Sequence, residues 1–178
     1  MEKENIIYRV LERDEIINKL DEIDSHEIIE ESYYLKDGKL TLEKEYREIR
    51  HFDTWQERFE DLTEDYDNGY TLLGAFDGEK LVGLACMRGN LIGKNNDTID
   101  LSTCFTDKNY RKHGIATKLT NILKEKARQL NARKMYVSAA PSKNTVDFYM
   151  GIGFRMTNET IKMIYDENPT DIQMEYIL

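Results

Sequence analysis

Hydrophobic and polar positions change period several times along the chain, and each change marks an element. Ile6, Ile7, Tyr8, Val10 and Leu11 make a β-rich opening strand over 6–12. Ile16, Ile17, Leu20, Ile23, Ile28 and Ile29 then recur at roughly helical spacing, with a break at Asp24-Ser25. Residues 33–50 carry little pattern beyond a turn at Lys36-Asp37-Gly38-Lys39. Thr54-Trp55-Gln56-Glu57 has the form of a capping box, in which the Thr hydroxyl and Glu carboxylate satisfy orphan amides at a helix start. Trp55, Phe59, Leu62 and Tyr66 follow at i, i+4, i+7 and i+11, so a helix is expected over 55–66, ended by Asp67-Asn68-Gly69.

The second half is more regular. Two apolar runs, 70–76 and 80–87, flank Asp77-Gly78, a dipeptide suited to a tight hairpin turn. The segment 93–97 supplies a second turn, into a strand over 98–106. Gly89 to Lys94 is one residue short of a P-loop between its glycines, and Asn95 stands where a Mg²⁺-binding hydroxyl belongs, so it reads as a turn. Ile115, Leu119, Ile122, Leu123, Ala127 and Leu130 form one apolar helical stripe, stopped at Asn131. A short buried strand over 134–140, a short helix over 144–149, a turn at 151–154 into a strand, and an alternating strand at 171–178 complete the order. Strands and helices interleaved in this way predict a mixed α+β sheet.

The chain has 178 residues with no repeat and no linker-like tract, which fits one domain over 1–178. No apolar run approaches the roughly 20 residues that span a bilayer, and Met1 to Asn5 lacks a signal peptide's apolar centre, so a cytoplasmic protein with no membrane partner is expected. Cys86 and Cys104 sit in apolar stretches, and no Cys/His cluster has zinc spacing, so no metal is expected. A formal net charge of −9 disfavours nucleic acid as a partner. The charge is divided, however. Residues 1–70 hold 10 basic and 22 acidic side chains, whereas 107–134 hold nine basic and two acidic. A small anionic ligand is therefore allowed at the cationic segment.

That segment has a form suited to an anion. From Cys104 a strand runs through a polar loop with one glycine, Gly114, into a helix. Such a junction aims free backbone N–H groups, at the positive end of the helix dipole, toward one point. Gly114 lets a ligand approach the backbone, Ala116 is small, and Arg111 and Lys112 add positive charge. A pyrophosphate suits it.

Arg111-Lys112-His113-Gly114-Ile115-Ala116 has the Arg/Gln-x-x-Gly-x-Gly/Ala form of the acetyl-CoA pyrophosphate loop of the GNAT-type N-acetyltransferase superfamily, and Tyr110 and Thr117-Lys118-Leu119 fit on either side. Downstream, Asn144 to Phe154 resembles the family's second signature, a short helix ending in Tyr149 and then Gly153-Phe154. The resemblance covers 70–178, with 1–69 matching as an acceptor-side strand and helices. It implies a single-domain α+β fold with a mixed, mostly antiparallel sheet and helices on both faces.

It also implies roles. The backbone amides of Lys112, His113, Gly114, Ile115 and Ala116 would hold the pyrophosphate, with Arg111 and Thr117 beside them. Cys104 and Thr106 would pair with the pantetheine arm. Tyr149 would protonate the leaving thiolate. The family often has an Asn seven residues before that Tyr; here Ser142 stands there and Asn144 five before, and either can make the contact. Asp100, on the strand leading into the loop, is the expected base, acting directly or through water, and period-2 alternation puts it on the same face as Ser102 and Cys104. His113 suits backbone use with its ring in solvent, and Cys104 suits burial, because no activating base is identifiable.

The implied activity is acetyl transfer from acetyl-CoA, as co-substrate, to a primary amine by direct attack in a ternary complex. The acidic N-terminal part suggests a cationic small-molecule acceptor. A homodimer is compatible with this. Tyr33, Tyr34 and Trp55 are candidates for the acceptor wall. The other reading is an acyl-CoA-binding sensor or partner-binding module without turnover, against which the presence of both Asp100 and Tyr149 argues.

Overall fold

The computed structural model describes residues 5–49 and 55–178, the side chains of 55–57 excepted. The Thr54–Glu57 capping box and the Trp55 side chain lie outside the described residues. In chain order the elements are β1 (Ile7–Val10), α1 (Arg13–Lys19) with a 3-10 turn at Leu20–Glu22, β2 (Glu27–Lys36), β3 (Lys39–Ile49), α2 (Trp55–Asp67), β4 (Thr71–Asp77), β5 (Lys80–Met87) and β6 (Thr98–Thr106). There follow α3 (Ile115–Gln129), β7 (Lys134–Ala139), α4 (Lys143–Gly151), β8 (Arg155–Met156), α5 (Lys162–Tyr165) and β9 (Ile172–Ile177).

Seven strands form one sheet in the order β1-β4-β5-β6-β7-β9-β8, antiparallel throughout except at β6–β7. Because side chains alternate across a strand, neighbours such as Leu72 and Leu73, or Leu84 and Ala85, enter different cores. One core joins Leu11, Ile16, Leu20 and Leu62, from the α1 and α2 side, to Leu72, Phe76 and Leu84 of the sheet. The other joins the α3 stripe of Ile115, Leu119, Leu123 and Ala127 to Leu73, Ala85, Met87 and Leu101, with Val146 and Tyr149 of α4. Burial on both faces is why β4 and β5 read as continuous apolar runs.

The N-terminal third departs from expectation. Ile28 and Ile29 belong to β2 rather than to a helix, and 39–49 is a strand; the two make a hairpin outside the main sheet. The turn at Asp37-Gly38 stands where expected, with φ of 48° and 75° at its two central residues, as a primed hairpin turn needs. The strands escape the pattern because the hairpin buries little: Ile29 and Ser32 are enclosed, while Ile28, Tyr34, Leu35, Leu42 and Tyr46 are exposed. The hairpin is rooted on the cationic segment, where Lys108 pairs with Asp24 at 2.7 Å; Tyr33 ties it to the loop before α4 by its N–H to the Pro141 carbonyl at 2.8 Å, and to α4 by its Oη to Asp147 at 2.8 Å.

Candidate active site

The site arises from a fault in the sheet. β6 and β7 run parallel and pair at Thr98–Asp100 with Lys134–Tyr136, and there the pairing stops. β7 keeps β9 as its partner to Ala139, and β6 keeps β5 to Thr106, so the two diverge. The gap is a cleft of about 630 Å³ whose walls include Leu101 to Thr106 on one side and Val137, Ser138 and Ala140 on the other. Along it, among the described residues, the inner backbone edge of β6 has no strand partner beyond Asp100, which suits an extended ligand bearing amides.

At one end of the cleft lies the cationic loop. Lys112 and Gly114 both have positive φ, 64° and 81°, and together turn the chain so that α3 starts at Ile115. The N–H groups of Ile115, Ala116 and Thr117 have no carbonyl a turn earlier to bond, and among the described residues no side chain caps them. Lys112, Gly114, Ile115, Ala116 and Thr117 line the cleft, and His113 is exposed beside it. A Cβ built on Gly114 meets nothing, so the glycine is required by its φ and leaves the space above it open. Arg111 lines the same end, but its guanidinium bonds the Thr106 carbonyl at 3.4 Å and the Ser25 carbonyl at 3.2 Å, strapping the loop to the hairpin root.

Asp107 sets the start of this loop. Its carboxylate is 1% exposed and accepts the N–H of Asn109 at 2.8 Å, the N–H of Asp24 at 3.1 Å and Lys80 Nζ at 3.2 Å. Burial pushes its pKa up, but the two amides and the ammonium outweigh that and hold it below the ordinary value.

Further along, Cys104 and Thr106 line the wall. Desolvation pushes the Cys104 thiol up to about 12, opposed by a hydrogen bond with Thr120, so the group stays protonated. The Thr106 hydroxyl is buried without a partner among the described residues. Tyr149 faces them from α4, its ring held edge-on by Phe148 at 5.0 Å and Phe154 at 5.3 Å. Burial, with the Cys104 and Asp100 groups nearby, raises its pKa well above 10, so it stays a neutral phenol near pH 7. Of the two family alternatives, Asn144 lines the cleft, with its Nδ2 donating to Glu27 at 3.0 Å, whereas Ser142 is the buried N-cap of α4, accepting from Thr145 N–H at 3.3 Å. Tyr33 and Tyr34 are absent from the cleft wall, the first bonded to Asp147 and the second exposed.

Asp100 requires a correction. Met87 pairs with Leu101 and Cys86 with Thr103, so Ser102 is an extra residue on β6 and the alternation skips there. Cross-strand partners share a face, so Leu101 and Cys104 face α3 with Met87 and Ala85, while Asp100 and Thr103 face α2. Arg58 of α2 confirms the placement, its Nη2 bonding the Thr103 hydroxyl at 2.8 Å. Ser102 is exposed in the cleft, and its hydroxyl reaches the Cys86 carbonyl at 3.4 Å. Asp100 itself is 4% exposed and sits behind the cleft wall, where the two strands part. Burial pushes it up to about 7; Arg88 draws it down, and Glu167 and Asp65 push it further up. Its Oδ1 has no partner among the described residues.

Arg58, Asp65, Tyr70 and Arg88 around Asp100 are residues that pattern reading missed. A signal existed for two of them: Arg58, Leu62 and Asp65 lie at i, i+4 and i+7, which places charges on the inward stripe of α2.

A family model described as an acetyltransferase (GNAT) domain matches residues 38–176. A search of curated proteins found no match. Among solved structures, the nourseothricin acetyltransferase superposes with a TM-score of 0.72 at 14% identity, over 97% of this chain and 98% of that one. A protein of Bacillus anthracis str. Ames in complex with acetyl coenzyme A, provisionally described as a streptothricin acetyltransferase, gives 0.73 at 18% identity over 98% and 100%. An aminoglycoside 6′-N-acetyltransferase complexed with coenzyme A gives 0.54 at 14% identity over 68% and 80%. The family model covers most of the chain, including the parted strands, the amide-rich turn at Gly114 and the helix that carries Tyr149, and the chain belongs to the GNAT acetyltransferase family.

Proposed function

We propose that the protein moves the acetyl group of acetyl-CoA to a primary amine by direct attack within a ternary complex, and that the amine belongs to a cationic small molecule. The observation that carries this reading is the continuity of the cleft from the helix N-terminus at Gly114 to Tyr149, with Asp100 behind its wall where the sheet opens.

The amides of 112–117 and the α3 dipole suit the pyrophosphate of CoA. The unpaired edge of β6 at Cys104–Thr106 suits the amides of the pantetheine arm, bringing the thioester between Cys104 and Tyr149. The Ser102 bulge gives the reaction two sides: the thioester comes from the α3 face, and the amine from the α2 face. An ammonium is not a nucleophile, so the amine passes a proton to Asp100, directly or through a water at Ser102. Its lone pair forms the C–N bond, the C–S bond breaks, the thiolate takes its proton from the Tyr149 phenol, and the second proton shed by the amide nitrogen reprotonates the Tyr149 phenolate through solvent. A Cys104 thiol near 12 gives no support to an acyl-enzyme route.

Asp65 and Glu167 near Asp100, and the acidic N-terminal part, support a cationic acceptor. The nourseothricin, streptothricin and aminoglycoside acetyltransferases among the structural neighbours favour a small-molecule acceptor. The test is thiol release from acetyl-CoA with a streptothricin, an aminoglycoside, a polyamine and a lysine peptide as acceptors. Transfer to at least one polycationic small molecule, lost in Asp100→Asn, is the expected result. Tight acetyl-CoA binding with no transfer to any amine would overturn it in favour of a sensor.

A further inference from the structure

Arg88, just past the end of β5, is unexplained by the roles above. Its N–H donates to the Asp100 carbonyl at 2.9 Å, which makes the two residues cross-strand neighbours, and continuing the pairing of Met87 with Leu101 puts both side chains on the α2 face. The guanidinium does not close on the carboxylate. Its carbon lies 5.0 Å from the centroid of the Tyr70 ring, and its Nε is buried with no hydrogen-bond partner among the described residues. Asp100 Oδ1 is unpartnered in the same way. Two opposite charges thus stand on neighbouring residues of one face, each with an unsatisfied buried atom, and the guanidinium lies over the Tyr70 ring.

We propose that Arg88 is a positioning residue for acetyl transfer: supported on Tyr70, it keeps Asp100 a carboxylate in a buried site while leaving one carboxylate oxygen open to receive a proton. This rests on the reading of Asp100 as the base. The same chain shows what direct contact would do. Arg9 grips Glu15 through two bonds, at 2.6 and 2.7 Å, and that hydrogen-bonded contact drives Glu15 down to about 2, where a carboxylate is too weak a base to serve an amine. With no cation nearby, burial and the carboxylates of Asp65 and Glu167 would leave Asp100 a neutral acid at neutral pH. A guanidinium held back on Tyr70 gives the useful middle case. The other titratable groups that act on or feel Asp100 are Tyr70, Cys86 of β5, Tyr136 of β7 and Tyr149 of α4, all raised by burial and neutral near pH 7.

The test titrates the Asp100 carboxyl by ¹³C NMR in the full chain, with Asp100→Asn assigning the resonance. Arg88→Gln is expected to raise its midpoint by about one pH unit, and Arg88→Lys to restore most of that. Tyr70→Leu removes the support and lets the guanidinium close, so the midpoint is expected to fall. The acid limb of the pH–kcat profile, with the best acceptor of the amine panel, should move with each midpoint. An unmoved Asp100 midpoint in Arg88→Gln, or in Tyr70→Leu should the first not fold, overturns the proposal. The titration needs no turnover, so it is separable from the base assignment: full transfer by Asp100→Asn would sink that assignment whatever the NMR shows.

Discussion

Asp100 and Cys104 stand on opposite faces of β6 although they are four positions apart, an even spacing, because the bulge at Ser102 adds one residue to the strand. In a regular strand both side chains would crowd one face. With the bulge, a carboxylate faces α2 and a thiol faces α3, and the cleft lies between the two sides.

The phenol of Tyr149 is expected to protonate the leaving thiolate. Tyr149→Phe keeps the ring contacts with Phe148 and Phe154 and removes the hydroxyl, so kcat should fall about 10²-fold with acetyl-CoA affinity unchanged. Steady-state kinetics beside calorimetric titration of CoA will show it; an unchanged kcat rejects the role.

Asp100 ties stability to pH in a direction opposite to most carboxylates. Burial raises its folded pKa from 3.8 to about 7, so between these values the folded chain holds a proton that the unfolded chain has lost, and stability falls as pH rises through that window. Asp100→Asn removes the cost of burying the charge. Its Tm gain over the wild type should be at least ~3 °C larger at pH 8 than at pH 5. Equal gains at both pH values in a thermal scan would contradict the burial argument.

Asp107 shows the ordinary sign. Its pKa is depressed, so its contribution is complete above the ordinary carboxylate pKa and is lost as acid carries the pH down through the depressed folded value. Asp107→Ala leaves the Asn109 and Asp24 amides and Lys80 without their acceptor and should cost about 2–3 kcal/mol by urea denaturation at pH 7. The same change loosens the turn before Gly114, so CoA affinity should drop as well.

Cys104→Ala separates direct attack from a covalent route. A thiol at about 12 is no nucleophile near neutral pH, so transfer by the variant should stay within a few-fold of wild type. Loss of turnover with the fold intact by circular dichroism would force a return to an acyl-cysteine step.

What could be read in advance follows from how each signal is carried. The loop at Gly114 and the stripe from Ile115 to Ala127 are local: a glycine with φ of 81° and a 3.6-residue period are written in consecutive residues. The hairpin of β2 and β3 was not legible, because Ile28, Tyr34, Leu42 and Tyr46 stay exposed and no clean alternation marks a buried face. The face of Asp100 was misread because Ser102 has nothing in its composition to announce a bulge; the extra residue appears only when β5 is laid beside β6. Arg88 and Tyr70 escaped for a similar reason, since they meet Asp100 through strand pairing rather than through nearness along the chain.

The way the hairpin is fastened has a consequence for how such a protein can change. Its anchors come from the root and from β2: Asp24 and Ser25 on the cationic loop, Glu27 and Tyr33 on α4. Side chains of β3 bond back within the hairpin region, Glu43 with Lys36, Glu45 with Tyr34 and Glu48 with His26, and Leu40 is its apolar contact with the core. Mutations in the outer strand can therefore accumulate while the groups that grip the cofactor end keep their places. β3 is the part of this chain where inherited variation meets least resistance, and a library randomised at its exposed positions should yield mostly folded proteins.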